Sequence, residues 1–466
     1  MRRFFILLLA LSQLACVPTP ERDAVVSKAD PDVLWIPTDS ASIADAGTFT
    51  ENGVTVTFCA SVELPDSETL PRYELRPGAF SEEQVFAFVK ALFGDAPIYE
   101  PGEPTKDELY PALLSALEEL ETVKANPDAC EGGTAEYERT VNELQQAYNA
   151  APDAVSLRSK TLALAKSDVD HTAVFGCRGD CGRPTLATLF VQTLTDANTD
   201  ACAYLRFQNS GRYVGISHAN RLAALEVPAP LVSERDAVET AIDLVNRMGV
   251  TDMRFAAVEP GARIDDATGW YEADPDETPV LVYFTRCMDG MQVTFDATPS
   301  AGGQFGSSYA EEMPYERLTV GVDSKGICFA EWTGLCAVAS CIDADCRVLT
   351  QEQAKAQAAN YLRFLYPVSD ALNDANTDGQ AQPLTQAQRG SVTASTVKIE
   401  RIVLGWMQVR SGASARESRL VPVWDFFGTV ERTYENGETI ATCGGLYSLL
   451  TLDAVSGARI DRESGY

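Results

Sequence analysis

Histidine is nearly absent from this 466-residue chain, which contains only His171 and His218. Serine and cysteine nucleophiles usually need a histidine base, and the motifs G-x-S-x-G, H-E-x-x-H and G-x-x-x-x-G-K-[ST] do not occur. The sequence therefore argues against the common hydrolase and phosphate-binding chemistries. It predicts no cofactor.

Basic residues are also scarce. Lys and Arg number 37 against 67 Asp and Glu, which gives a formal net charge of -30 at pH 7. Such a chain repels phosphate backbones and anionic lipid head groups, so we expect no nucleic-acid partner. A hydrophobic content of 45% with 22% charged residues is nevertheless typical of a globular protein.

Long apolar runs are missing after the first sixteen residues. There, two arginines precede the run FFILLLALSQLA, which is too short to cross about 30 Å of hydrocarbon. A basic start followed by a short apolar run and small residues is typical of a secretory signal. We therefore predict a signal peptide over residues 1–15 and an exported mature chain.

Cys16 follows this apolar run directly, and the stretch resembles the lipobox of a bacterial lipoprotein. The resemblance implies that Cys16 is diacylated and anchors the chain to a membrane. In a cell with two membranes, Val17 in place of an aspartate implies the outer membrane. Gln13 stands where lipoboxes usually have leucine, so a soluble secreted form is the alternative. Residues 16–48 are rich in Pro, Asp, Ser and Ala, which predicts a tether.

Eleven further cysteines remain after Cys16. Thiols exported to an oxidising space are mostly paired, so we expect disulfides. A thiolate metal site is the alternative for Cys336, Cys341 and Cys346. The cysteines closest in sequence are Cys177, Cys181, Cys336, Cys341 and Cys346.

One stretch resembles the start of a calcium-binding loop. Asp374, Asn376 and Asp378 alternate along the chain and are followed by Gly379, as in the first six positions of such a loop. The twelfth position, which should supply a bidentate carboxylate, is Thr385. A weak calcium site and ordinary Asp/Asn turns are both open interpretations.

Three segments begin with the same helix-start signal, in which a hydrophobic residue precedes Ser or Thr and an acidic or amide residue follows three positions later. Ser81, Ser233 and Thr350 are the predicted N-caps, and each leads into an amphipathic segment. Strand patterns follow the last two helices. We therefore predict an α+β fold of tandem modules, each with a helix packed on an antiparallel sheet. The predicted modules span residues 49–230, 231–347 and 348–466.

The first module carries an insertion. Thr105 and Glu108 form another capping box, and a second amphipathic segment follows the break at residues 127–133. This pattern predicts a helical hairpin. The apolar positions of its first helix are Leu109, Leu113, Leu114, Leu117 and Leu120.

Several short motifs occur in an order that resembles a set of uncharacterised bacterial lipoproteins, known only as a domain of unknown function. The two later modules are also similar to PepSY-type repeats and to extracytoplasmic regulators of a sensor kinase. The resemblance implies a noncatalytic role and supplies no catalytic residues. The motifs are Val62-Glu63-Leu64-Pro65-Asp66, Leu92-Phe93-Gly94, Thr105-Lys106-Asp107-Glu108-Leu109, Tyr283-Phe284-Thr285-Arg286 with Asp289-Gly290, and Leu420-Val421-Pro422-Val423-Trp424-Asp425-Phe426 with Leu452-Asp453-Ala454-Val455-Ser456-Gly457.

Together these features predict a membrane-anchored extracytoplasmic lipoprotein that acts as a noncatalytic binding or regulatory module of the bacterial cell envelope. Its expected partners are the membrane, through the lipid, and an envelope protein or peptide. The alternatives are a structural envelope protein and an envelope hydrolase that uses carboxylates only. For the hydrolase, the candidates are Asp289, Asp425 and Asp453, of which Asp425 lies in an aromatic segment.

Overall fold

The fold is described from a computed structural model, which covers residues 45–462 and 465. The signal peptide, Cys16, the tether before residue 45 and the predicted calcium loop of Asp374, Asn376 and Asp378 lie outside the described residues. Within the covered range, the residues left out are 52, 66–68, 126–132, 155, 167–172, 184–185, 194–202, 210–211, 216–226, 265–273, 298–314, 369–389, 412–417 and 443–445.

Five helices and twenty strands make up the described part of the chain, so the predicted α+β class is confirmed. The helices are α1 Glu82–Phe93, α2 Lys106–Ala125, α3 Gly133–Ala150, α4 Glu234–Arg247 and α5 Gln351–Leu365. The strands are β1 Asp45–Glu51, β2 Val54–Glu63, β3 Thr69–Pro77, β4 Ile98–Tyr99, β5 Ala165–Lys166, β6 Ala173–Gly179, β7 Ala187–Thr193, β8 Tyr204–Gln208, β9 Arg212–Gly215, β10 Met253–Ile264, β11 Val280–Met288, β12 Met291–Gln292, β13 Arg317–Asp323, β14 Gly326–Thr333, β15 Cys336–Arg347, β16 Val392–Arg410, β17 Ser418–Tyr434, β18 Thr439–Thr442, β19 Ser448–Asp453 and β20 Arg459–Ile460.

The helix starts agree with the capping signals in the sequence. The Ser81 hydroxyl accepts a hydrogen bond from the Gln84 amide at 3.2 Å, and the Gln84 side chain accepts one from the Ser81 amide at 2.9 Å. Thr350 and Gln353 form the same reciprocal pair at the start of α5. Each box satisfies amides that the first helical turn leaves without partners, which is why the helices begin there.

The strands form two sheets, here called sheet I and sheet II. Sheet I has the order β1-β2-β16-β17-β19-β20, with β18 and β3 also beside β17 and β15 beside β3. Sheet II has the order β4-β6-β7-β8-β14-β13-β11-β10-β9, with β5 beside β6 and β12 beside β11. Most pairs are antiparallel, but β2 and β16 run parallel.

Sheet I packs under α5. Alternate residues of β2 are buried, and Phe58 is completely so, because a strand turns every second side chain to the same face. Small residues on α5, Ala354 and Ala358, lie in the same core as Phe58 and Trp424. Burial of a phenylalanine of this kind stabilises the fold by about 1.5–3 kcal/mol.

Sheet II packs under two helices that share one core. Phe88 and Val89 of α1 belong to the same buried cluster as Val238 and Leu244 of α4, together with Phe284 of β11. The helices that begin the first and second predicted modules therefore cover a single sheet face.

This strand pairing differs from the predicted arrangement of three tandem modules. The strands at residues 45–77 join sheet I beside those at 336–460, while the strands between them form sheet II. The physical reason is that a strand's alternation fixes which face is buried but does not specify its neighbour. The edge of β16 is a row of backbone groups that needs a partner, and β2 supplies it.

Candidate functional site

Asp425, the carboxylate singled out for chemistry, is buried in a polar network. Both of its oxygens are occupied: Oδ1 accepts hydrogen bonds from the hydroxyls of Thr451, at 2.7 Å, and Ser448, and Oδ2 accepts one from the Arg462 guanidinium. Asp296 lies 3.9 Å from Nε of the same arginine. Burial lowers the pKa of Arg462, but the two carboxylates raise it by more, so the net shift is upward.

The network holds the two sheets together. The Thr294 amide, just after β12, donates to the Trp406 carbonyl of β16 at 2.9 Å. Arg462 donates to the Thr294 hydroxyl at 2.6 Å, and the Tyr315 hydroxyl donates to the Arg462 carbonyl at 2.6 Å. A cavity of about 20 Å³ beside these residues has room for roughly one water molecule. The network therefore joins the two sheets, and both oxygens of Asp425 are already engaged in it.

Asp453 and Asp289 also have structural partners. One oxygen of Asp453 accepts hydrogen bonds from the amides of Val455 and Ser456, at 2.9 and 2.7 Å, and the other accepts one from Arg72. This arrangement fixes the turn between β19 and β20. Asp289 sits in a turn at φ +52° and accepts a hydrogen bond from the Tyr73 hydroxyl. Burial and this carboxylate raise the pKa of Tyr73.

The predicted disulfides stay a prediction. Within the ranges that the structure describes, none of the five candidate cysteines is bonded to another cysteine; they are Cys177, Cys181, Cys336, Cys341 and Cys346. The last three lie along β15, five residues apart, and face Pro77, Tyr73 and Leu70 of β3. Five residues of extended chain span about 16 Å, whereas bridged Cα atoms lie within about 7 Å. Among the described residues, no group of three or more His, Cys, Asp or Glu side chains could hold a metal ion.

Cys177 belongs to the core of sheet II. Burial raises the pKa of its thiol to about 12, so the thiol stays protonated at neutral pH. Because the thiolate is the reactive species, this cysteine has a structural role.

The helical insertion is a hairpin that rises from the edge of sheet II. Its two ends are joined by backbone hydrogen bonds from Glu100 to Arg158 at 2.7 Å and from Lys160 to Ile98 at 2.9 Å. At the start of α2, the Lys106 amide donates to the Pro152 carbonyl at 3.1 Å. The start of α2 therefore lies beside the end of α3, and the helices are antiparallel. The predicted hairpin is confirmed.

Helix α2 has two apolar sides. One side is buried. The other carries Tyr110, Leu114 and Leu117, with exposed fractions of 49%, 40% and 38%. Their spacing of four and then three residues places them in one line along the helix, here called the apolar stripe. The centroid of the Tyr148 ring of α3 lies 6.1 Å from that of the Tyr110 ring, so Tyr148 widens the apolar stripe. The buried side consists of Leu109, Leu113, Ala116, Leu120 and Val123.

The insertion concentrates exposed apolar surface. Of the eleven large hydrophobic residues that are exposed in the described part of the chain, five lie between residues 106 and 162. Single exposed hydrophobic residues are ordinary, but an aligned group on a projecting element is typical of an interaction site. The stripe is therefore the candidate binding site. The five residues are Tyr110, Leu114, Leu117, Leu157 and Leu162.

The sequence contained a signal for this surface that a single-face interpretation missed. The apolar positions of this helix, which include Leu113, Leu114 and Leu117, were not assigned to separate faces. Consecutive leucines at 113 and 114 point about 100° apart on a helix, so the apolar positions cover more than one face. Only the second face remains exposed in the structure.

Comparisons with known proteins leave the family open. No protein-family model matches the chain, and no curated protein matches it. Among solved structures, an uncharacterized protein from Eubacterium rectale ATCC 33656 is similar over 89% of this chain and 93% of that chain, with 11% identity and a TM-score of 0.41. No helix in the described part of the chain is long and apolar enough to span a membrane.

Proposed function

We propose that this protein is an extracytoplasmic lipoprotein that binds an envelope protein or peptide and does no chemistry of its own. The observation that supports the proposal most is the apolar stripe on a hairpin that projects from the edge of sheet II. Exposure of three aligned apolar side chains costs free energy in water, and a bound partner would remove that cost. The stripe is thus the natural contact for a partner.

The anchor and the modular architecture are part of the same proposal. Lipidation at Cys16 would hold the folded body at the membrane through the tether, at the outer membrane where the cell has two. Two segments keep the helix-then-strands order of the PepSY-like prediction: α4 is followed by β10 and β11, and α5 by β16 and β17. These two segments would be the regulatory modules. The strands of the first belong to sheet II, and those of the second belong to sheet I.

A carboxylate-only hydrolase is disfavoured by the contacts of its candidates. Asp425 has both oxygens occupied and is completely buried, Asp453 fixes a turn, and exposed Asp289 accepts a hydrogen bond from Tyr73. A general acid or nucleophile needs access to substrate. Turnover of peptidoglycan, peptide or ester substrates by the purified protein would contradict the proposal.

The proposal is tested by crosslinking the tagged protein in intact envelopes and purifying it. We expect one stoichiometric protein or peptide partner. The Cys16→Ser variant controls for anchoring and should lose labelled palmitate and membrane association. Recovery of the protein alone, at high abundance, would favour a structural envelope protein instead.

A further inference from the structure

We propose that the α2–α3 hairpin binds a cationic amphipathic helix of its partner, laid along the apolar stripe. This inference rests on the proposed binding function and specifies its site and the chemistry of the partner. It starts from the geometry of the stripe. Tyr110 and Leu117 are seven residues apart, so the stripe is about 10 Å long, or two helical turns.

The second helix adds apolar positions beside the stripe. Because the helices are antiparallel and Tyr148 lies beside Tyr110, Leu144 and Val141 lie level with Leu114 and Leu117. Both residues of α3 are only partly buried. A groove between two helices with apolar positions on both sides is the usual dock for a third amphipathic helix, which inserts side chains spaced three and four residues apart.

The charge around the stripe selects the kind of helix. The segments of α2 and α3 contain eight Asp and Glu residues and three Lys and Arg residues, a net charge of -5. The three basic side chains already form ion pairs inside the insertion: Lys106 with Asp153 at 2.6 Å, and Lys124 and Arg139 each with a nearby glutamate. Arg178 of β6 also pairs with Glu108, at 2.8 Å. Acidic residues still outnumber basic ones on the two helices, so their surface is net negative.

Other occupants of the stripe are opposed by the same charge. A second copy of this hairpin would bring two sets of -5 together, and the tether at residues 17–44 is itself net acidic. Anionic lipid head groups would be repelled for the same reason. A helix with leucine-like residues on one side and Lys or Arg beside them gains from both apolar burial and charge complementarity.

The inference is tested with the purified full-length protein and a labelled 18-residue peptide. The peptide carries leucine at positions i, i+3, i+4 and i+7 and lysine elsewhere. A second peptide has glutamate in place of lysine, and phosphatidylglycerol vesicles test the lipid alternative. Fluorescence anisotropy should show binding of the lysine peptide alone, weakened by added salt.

Variants locate the binding site. The double substitution Leu114→Ser and Leu117→Ser should weaken binding of the lysine peptide by roughly tenfold or more, because the centre of the contact is lost. Phe364→Ser is the matched control, since Phe364 is 82% exposed but lies on α5. It should bind as the wild type does. Circular dichroism of both variants should match the wild type, which separates lost binding from unfolding.

The outcomes separate this inference from the proposed function. Equal binding of the lysine peptide by the Leu114 and Leu117 variant and the wild type would overturn the inference, as would preference for the glutamate peptide or for vesicles. If crosslinking recovers a partner equally well with that variant, the protein binds but the stripe is not its site. If no partner is recovered with the wild type, the binding function itself fails.

Discussion

Replacement of Asp425 with alanine should destabilise the protein strongly, because Asp425 is the buried counter-ion of Arg462. Loss of one partner from a buried ion pair costs about 3–5 kcal/mol, since the remaining charge stays buried without compensation. Here Asp296 lies 3.9 Å from Arg462 and takes over part of that role. We therefore expect a loss near the lower end, about 3 kcal/mol in the free energy of unfolding.

Asparagine at the same position should have a smaller effect. Asp425→Asn keeps one oxygen that can accept hydrogen bonds from Thr451 and Ser448, but an NH2 group replaces the oxygen that accepts from Arg462, so that charge-assisted hydrogen bond is lost. Hydrogen bonds to charged groups contribute about 1.5–3 kcal/mol, so the loss should be about 2 kcal/mol. The order of stability should be wild type, asparagine variant, alanine variant.

Urea unfolding followed by tryptophan fluorescence measures this effect, because Trp406 and Trp424 are buried in sheet I beside the network. Asp95→Ala is the matched control. The Asp95 side chain is 98% exposed, and its ion pair with Lys90, at 3.7 Å, is on the surface. Because exposed ion pairs contribute little, loss of Asp95 should change the free energy of unfolding by less than about 0.5 kcal/mol. If the alanine variant at Asp425 unfolds within about 1 kcal/mol of the wild type, the network is not structural and the reasoning is refuted.

Three further predictions follow from buried groups and close contacts. Burial raises the pKa of Glu259 above 4.5, so its contribution to stability is complete below that pH and is lost as the pH rises through the folded-state pKa. Urea unfolding from pH 4 to 8 should therefore show a smaller decline for Glu259→Gln, and an equal decline would contradict this. Maleimide labelling followed by mass spectrometry should modify exposed Cys341 and spare Cys177 in the native protein; labelling of Cys177 at the same rate would contradict its burial. A Cβ at Gly428 would come within 1.8 Å of a carbonyl oxygen of β16, so Gly428→Ala should cost about 2 kcal/mol or more, whereas Gly47→Ala meets only an ordinary contact and should be neutral in thermal unfolding. Equal melting temperatures for the two glycine variants would contradict that packing.

The sequence by itself determined the local structure. The capping signals at Ser81, Ser233 and Thr350 placed three helix starts, because a cap satisfies amides within its own turn. The alternation from Val54 onward placed β2 and its buried face for a similarly local reason. The hairpin was also visible, since two amphipathic segments joined by a short break pack readily on each other.

Tertiary structure decided which distant segments meet. The parallel pairing of β2 with β16, the shared core of α1 and α4, and the position of the β15 cysteines opposite β3 depend on neighbours far away in the chain. The same holds for Asp425, which was a candidate only for the alternative hydrolase and whose partner, Arg462, lies 37 residues further along the chain. Local sequence patterns indicate how the backbone amides of a segment find hydrogen-bond partners and which face of the segment is apolar. They do not record what covers that face, which is why Leu113 is buried and Leu114 is not.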